Sequence, residues 1–305
     1  MTKVMVTGGC GFIGSHIVDK LLNEGYQVVV VDNLSSGQLM NVQYNQVTFF
    51  NCDISSRSFE QVIFATRPDF IIHQADPVRP DRIGYTEDHF LGSINVIRIA
   101  AKYRVKKLIF ASSGEIYGEP RYLPIDSKHM TDPHTTEGIS KLTNELYLKH
   151  LANVHQLNYT ILRYSHVYGP REHVKPNPGV VNVFLDKLAK NQACPVYGDG
   201  EQTRDFVFVE DVARANLLAI KKGSQTTLNI SSGISTSTHQ LLQVIQNASG
   251  RNLTTMYKHE RHEEIKHLLF DYQEAKRELG WEPEYDLEKG IQTTLASYQH
   301  KISLP

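Results

Sequence analysis

A glycine run and one carboxylate make the first chemical statement of this sequence. Thr7-Gly8-Gly9-Cys10-Gly11-Phe12-Ile13-Gly14 follows the apolar stretch Val4-Met5-Val6, and Asp32 closes the later stretch Val28-Val29-Val30-Val31. Glycines at these positions let the chain turn tightly, bring backbone N–H groups up to a pyrophosphate, and let the following helix pack closely on the preceding strand. Asp32 falls about 20 residues beyond the turn, where a carboxylate accepts both ribose hydroxyls of an adenosine and repels a 2′-phosphate. The expected cofactor is therefore NAD rather than NADP. Its expected contacts are Gly8, Gly11, Phe12, Ile13 and Gly14 in the turn, with Asp32 and Asn33 at the ribose. Cys10 reads as a small residue that fits the turn.

The elements that must position this site follow from periodicity. Strand-like apolar runs recur at about 3–7, 27–32, 47–52, 69–74, 107–112 and 159–164, with helical patterns at roughly 14–24, 57–66, 87–103 and 138–155. Such alternation predicts a parallel sheet wrapped by helices. In the first helix Ile13, Ile17, Leu21 and Leu22 share one face, which marks the side that packs on the sheet. After about residue 170 the rhythm breaks at Lys175-Pro176-Asn177-Pro178, and shorter elements follow, including helices near 180–191 and 210–222. The expected fold class is α/β, a Rossmann-type doubly wound parallel sheet with a smaller C-terminal substrate-binding α/β lobe. Residues 1–170 form the expected cofactor domain, with a return of the chain to the sheet near 205–232, and residues 171–305 supply most of the second lobe.

Composition narrows the function classes. With 32 Lys and Arg against 33 Asp and Glu, the net charge of −1 gives no electrostatic case for nucleic acid, and no apolar run reaches membrane-spanning length. Three cysteines without C-x-x-C spacing predict neither a disulfide framework nor a zinc site, so no metal is expected. Met1-Thr2-Lys3 runs straight into the first strand without the pattern of a signal peptide. The expected location is the cytoplasm.

Further blocks make the sequence similar to the extended short-chain dehydrogenase/reductase family, and within it to the nucleotide-sugar epimerases and dehydratases. They are Asp53-Ile54, Ser112-Ser113-Gly114-Glu115-Ile116-Tyr117-Gly118, Ser140-Lys141, Leu162-Arg163-Tyr164, Tyr168-Gly169-Pro170-Arg171 and Gly198-Asp199-Gly200-Glu201-Gln202-Thr203-Arg204-Asp205-Phe206. The resemblance implies that Asp53 and Ile54 border the adenine, Ser113 bonds the sugar hydroxyl being oxidised, and Lys141 holds the nicotinamide ribose. It further implies that Arg204, Arg261 and Glu264 hold the diphosphate and ribose of a UDP-sugar, and that Val180 and Tyr197 line the uracil pocket. Forked guanidinium donors suit phosphate oxygens. The same resemblance implies a homodimer built on the helices near 87–103 and 138–155, with Ile94, Ile97, Ile99, Leu142, Leu146 and Leu148 supplying apolar surface, some of which the sheet must claim.

At the catalytic centre the chain departs from the family. The tyrosine four residues before the family's lysine is Glu137 here. A free Tyr titrates near 10 and a free Glu near 4.3, so the carboxylate is the weaker base and also the shorter reach. Two roles stay open for Glu137, a general base whose affinity for protons burial has raised, or an ion-pair partner of Lys141. His-Leu-Ala-Ala of relatives is His73-Gln74-Ala75-Asp76, and two common asparagines are His89 and His166. Asp76, His89 and His166 are expected to face the substrate. Either histidine can serve as a base near neutral pH or simply replace the hydrogen bonds of an amide. Glu115 matches the glutamate of sugar dehydratases, but the acid beside it there is Gly114 here. The expected activity is thus an NAD-dependent epimerase or dehydratase acting by transient oxidation at sugar C4. A binding or regulatory protein that kept both pockets is the alternative.

Overall fold

The computed structural model describes residues 1–76, 85–172, 178–260 and 265–302. Alternation along the strands sets the two faces of its main sheet. In β1 (Lys3–Thr7) and β2 (Gln27–Asp32), Val4, Val6, Val28 and Val30 enter one core while Met5, Val29 and Val31 enter the other. Strands buried on both faces read as continuous apolar runs, as these do. β3 (Thr48–Asn51), β4 (Phe70–His73), β5 (Lys107–Ser113) and β6 (Tyr159–Tyr164) join them, and after a long excursion β10 (Thr226–Ile230) does too. The result is a seven-stranded parallel sheet in the order β10-β6-β5-β4-β1-β2-β3. Strand order reverses between β1 and β4, and the crevice outside the strand C-termini at such a point is where ligands bind in open α/β sheets.

One face is covered by α1 (Phe12–Asn23), α6 (Val209–Lys221) and α8 (Gln273–Leu279), through Ile17, Leu21, Val212, Ala215 and Leu279. The other is covered by α2 (Arg57–Thr66), α3 (Tyr85–Lys102) and α4 (Thr136–His155), through Phe59, Ile63, Ile97 and Leu148. Burying each such side chain contributes roughly 1.5–3 kcal/mol, enough to fix every helix against the sheet. The sheet therefore claims Ile97, Ile99 and Leu148, which leaves them no part in an intersubunit surface. Among the described residues, the large apolar side chains these two helices do expose are Leu91, Ile139, Leu146 and Val154.

A third core, around Phe184, Val196, Leu241, Ile245 and Ile291, belongs to the smaller lobe. It gathers α5 (Val180–Ala189), β8 (Cys194–Tyr197), α7 (Thr238–Ser249), β12 (Thr255–Lys258) and α9 (Leu287–Ile302). A three-stranded sheet of β11 (Ser235–Ser237), β9 (Thr203–Phe208) and β7 (His166–Tyr168) carries the chain between the lobes, since β7 follows β6 and β9 runs into α6. Among the described residues no helix is long and apolar enough to cross a membrane.

Two buried polar anchors hold the parts that position the site. The Arg163 guanidinium on β6 donates to both carboxylate oxygens of Glu145 on α4, at 2.9 and 2.7 Å, and Ser112 at the end of β5 donates to the same carboxylate at 2.6 Å. Burial pushes the Glu145 carboxyl up, yet Arg163 outweighs it and holds the group below its ordinary range. Near the C-terminus the fully buried Trp281 donates its indole N–H to the Asp211 carbonyl at 2.9 Å. The Asp211 carboxylate in turn accepts the amides of Glu284 and Tyr285 at 3.0 and 3.1 Å, tying the tail to the start of α6.

Candidate functional site

The glycine turn fills the gap between β1 and α1, and backbone contact dictates its residue types. Gly8 adopts φ +69°, and a Cβ there would stand 2.7 Å from the Ala75 backbone. A Cβ on Gly14 would stand 2.1 Å from the Gly8 carbonyl oxygen, which also accepts the Gly11 amide at 3.1 Å. Only hydrogen fits either place. Gly11 caps α1 in extended conformation with no side-chain bond to the first-turn amides, so those donors face the turn. Phe12 packs into the third core and Ile13 against the first, which orients the start of the helix. The turn thus forms a bare cradle that suits a pyrophosphate and that side chains would obstruct.

Asp32 stands beside this cradle at the end of β2. One carboxylate oxygen accepts the Cys10 amide at 2.9 Å and the other accepts the Leu34 amide at 2.8 Å. Burial pushes the Asp32 carboxyl up while these two amides pull it back. Asn33 donates to Asp53 at 2.9 Å, and Asn95 donates to the Ile54 carbonyl at 2.6 Å, so Asn33, Asp53 and Ile54 share one end of the crevice. Burial raises Asp53, but bonds from Ser55 and Asn33 outweigh it and leave the carboxyl below its ordinary range. Cys10 does more than fit the turn. Its carbonyl accepts the Gln38 amide at 3.0 Å and the Asn41 side chain at 2.9 Å, which folds the 33–41 loop over Asp32. Gly37 belongs to the same packing, since a Cβ on it would lie 2.9 Å from the Asp32 carboxylate. Spacing alone gives no signal for a contact made by backbone.

The residues expected to do chemistry converge at the ends of β4 and β5 and the start of α4. Ser113 closes β5, and its Oγ accepts the Glu115 amide at 3.2 Å, capping the single 3-10 turn Gly114–Tyr117. Glu115 is exposed and accepts the Thr135 hydroxyl, whose oxygen also caps α4 by accepting the Gly138 amide at 3.0 Å. A Cβ on Gly138 would stand 2.6 Å from the Glu115 carbonyl oxygen, so the turn carrying Glu115 lies directly on the helical turn carrying Glu137. Glu137 itself is half-buried. One turn further on, Lys141 is buried and donates to the Ala111 carbonyl at 3.0 Å, with its ammonium 5.7 Å from the centre of the Phe110 ring. Its ion pair is with Asp76, at 3.0 Å.

A second group lies on the small sheet and the lobe beyond it. His166 on β7 pairs in register with Phe206 on β9, and burial together with the positive charge of Arg204 pushes its imidazole down to about 3. The ring is neutral at physiological pH. Arg204 donates to the carbonyls of Thr203 and Lys266 at 2.9 and 3.4 Å. Tyr197 ends β8 with the Lys258 ammonium 5.7 Å from the centre of its ring, and Val180 opens α5, half-buried. Arg261, Glu264 and the side chain of His89 lie outside the described residues.

A parallel sheet with a bare glycine turn at its switch point and a carboxylate at the end of the next strand is the framework of a dinucleotide-binding α/β protein. The chain belongs to the NAD dependent epimerase/dehydratase family, which matches residues 4–231. It is similar to a UDP-glucose 4-epimerase of Mycolicibacterium smegmatis, 31% identical over 311 residues that span 98% of this chain and 99% of the relative. The structure of a Thermotoga maritima UDP-glucose 4-epimerase with UDP-glucose superposes with a TM-score of 0.94 at 37% identity, covering 99% of this chain and 100% of the other. A Thermus thermophilus UDP-glucose 4-epimerase in complex with NAD gives 0.91 at 32% identity, covering 98% and 99%.

Proposed function

We infer that the protein is an NAD-dependent UDP-sugar 4-epimerase whose proton-transfer group is a carboxylate. The observation that carries this reading is that the parallel strands bring to one edge of the sheet the bare glycine cradle after β1, Ser113 at the end of β5, and the buried Lys141 of α4, whose ammonium bonds the Ala111 carbonyl of β5. Similarity to UDP-glucose 4-epimerases over nearly the whole chain supports it. The chemistry NAD supplies when bound is reversible acceptance of hydride. Ser113 Oγ hydrogen-bonds the sugar C4 hydroxyl, Lys141 holds the nicotinamide ribose, and Glu137 takes the hydroxyl proton. Arg204 binds the diphosphate, with neutral His166 offering hydrogen bonds beside it, and Val180 and Tyr197 border the base. Arg261 and Glu264 join the diphosphate and ribose contacts by family position, and His89 the sugar side.

Epimerisation is favoured over dehydration by the packing of Gly114. A Cβ at that position would stand 2.6 Å from the Phe270 ring, so the acid a dehydratase places beside its glutamate has no room here. Glu115 then serves as a polar wall of the sugar site. The exposed Leu91, Ile139, Leu146 and Val154 on α3 and α4 support a homodimer, and three buried free thiols suit a reducing cytoplasm. A second reading, a protein that binds NAD and UDP-sugar without turning them over, is favoured by the engagement of Lys141 with Asp76. NMR of UDP-glucose, UDP-galactose and their N-acetylamino counterparts after incubation with protein and NAD separates the two. Interconversion of a C4 pair establishes the epimerase, whereas binding of both ligands without product establishes the second reading.

A further inference from the structure

Asp76 leaves β4 at the point where the strand order reverses. The Gln74 amide still donates to the Thr7 carbonyl at 3.0 Å, and the Ala75 backbone lies against Gly8, so Asp76 emerges beside the glycine turn. There its carboxylate meets the Lys141 ammonium at 3.0 Å, with side chains 35% and 8% exposed. The ammonium's other contacts among the described residues include the Ala111 carbonyl and the Phe110 ring, which carry no charge. A nearly buried ammonium needs a compensating anion, and Asp76 supplies it.

We propose that Asp76 is the positioning residue of Lys141 and that it neutralises the charge at the nicotinamide end of the site, so that the protein does not disfavour the oxidised cofactor against the reduced one. This rests on the NAD and Lys141 assignments above. The oxidised nicotinamide ring carries a positive charge that the reduced ring lacks. An unaccompanied ammonium at the ribose disfavours the oxidised form by repulsion. A carboxylate against that ammonium cancels the repulsion and fixes the direction of the Lys141 side chain at once.

The test is calorimetric and needs no turnover. Affinities of NAD⁺ and NADH are measured for the full chain and for Asp76→Asn, Asp76→Glu and Lys141→Met. The wild type is expected to hold NAD⁺ at least as well as NADH, and Asp76→Asn to move the affinity ratio toward NADH by about three- to tenfold, the scale of one partly screened charge several ångströms away. Asp76→Glu should restore most of the ratio, and Lys141→Met should move it the opposite way. A purely structural role would weaken both cofactors together and leave the ratio within twofold, which overturns the proposal. So does a shift of the same sign in Lys141→Met and Asp76→Asn. A wild type that binds neither cofactor overturns the NAD reading itself and this proposal with it.

Discussion

Replacing Glu145 with alanine strands the Arg163 guanidinium inside the protein. The pair has side chains 0% and 5% exposed, joined by two parallel bonds at 2.9 and 2.7 Å, and among the described residues Arg163 keeps the hydrogen bonds to the Tyr117 hydroxyl at 2.9 Å and the Ser127 carbonyl at 3.0 Å once the carboxylate is gone. An arginine does not neutralise itself by losing its proton, so the cost of an uncompensated buried charge falls on the fold. Breaking such a pair from one side costs about 3–5 kcal/mol, a large part of the ~5–15 kcal/mol that holds a typical domain together. With a urea slope of about 1–3 kcal/mol per molar, the midpoint should fall by at least about 1 M. The double replacement Glu145→Met with Arg163→Met should recover much of the loss, because it removes the desolvated charges together. Glu145 lies one turn beyond Lys141 on α4, so NAD affinity should fall alongside stability in Glu145→Ala. A loss under 1 kcal/mol, or a double variant weaker than the sum of the singles, refutes the claim that this pair anchors the helix.

Gly14→Ala places a methyl group 2.1 Å from the Gly8 carbonyl and should abolish NAD binding in calorimetry while the protein remains folded by circular dichroism. Arg204→Ala should weaken UDP-sugar affinity by about 1.5–3 kcal/mol and leave NAD affinity nearly intact, as titration with each ligand will show. Acid should act in two stages. Burial lowers His166 to about 3 from 6.5, so the unfolded chain takes that proton first and stability is lost as pH falls below 6.5. Burial raises Asp205 to about 6 from 3.8, which returns stability between those values and offsets His166. Glu210, raised by burial but held at about 2 by His16 and Lys20, starts to lose its stabilisation below its ordinary 4.5. Urea midpoints should therefore change little from pH 6 to 4.5 and fall steeply below. His166→Asn, which leaves Asp205 unopposed, should gain stability over that upper window, and a loss there contradicts the signs.

What the sequence disclosed was set by local geometry. The glycine run and the place of Asp32 beside it are legible because turn, helix start and strand end all depend on residues close along the chain, and the alternating apolar runs fix a parallel sheet for the same reason. The contacts around Lys141 and Ser113 are not local. Asp76 meets Lys141 only because β4 and β5 are neighbours and α4 folds back over them, and no spacing rule connects the two residues. The Gly114 contact with Phe270 depends on a segment from the far end of the chain, and Cys10 acts through backbone atoms that residue type does not reveal. Periodicity likewise marks Ile97, Ile99 and Leu148 as apolar without saying which partner, sheet or second subunit, claims them.

The central claim is that a carboxylate at position 137 moves the proton that a family tyrosine would move. NMR product analysis with UDP-galactose and NAD, run side by side on the wild type, Glu137→Gln and Glu137→Tyr, tests it most directly. We expect measurable conversion by the wild type and a loss of about 100-fold or more in Glu137→Gln, the usual scale for removing a general base, with the native reaction also lost in Glu137→Tyr. Conversion that proceeds unchanged in both variants, or that appears only when tyrosine is installed, contradicts it.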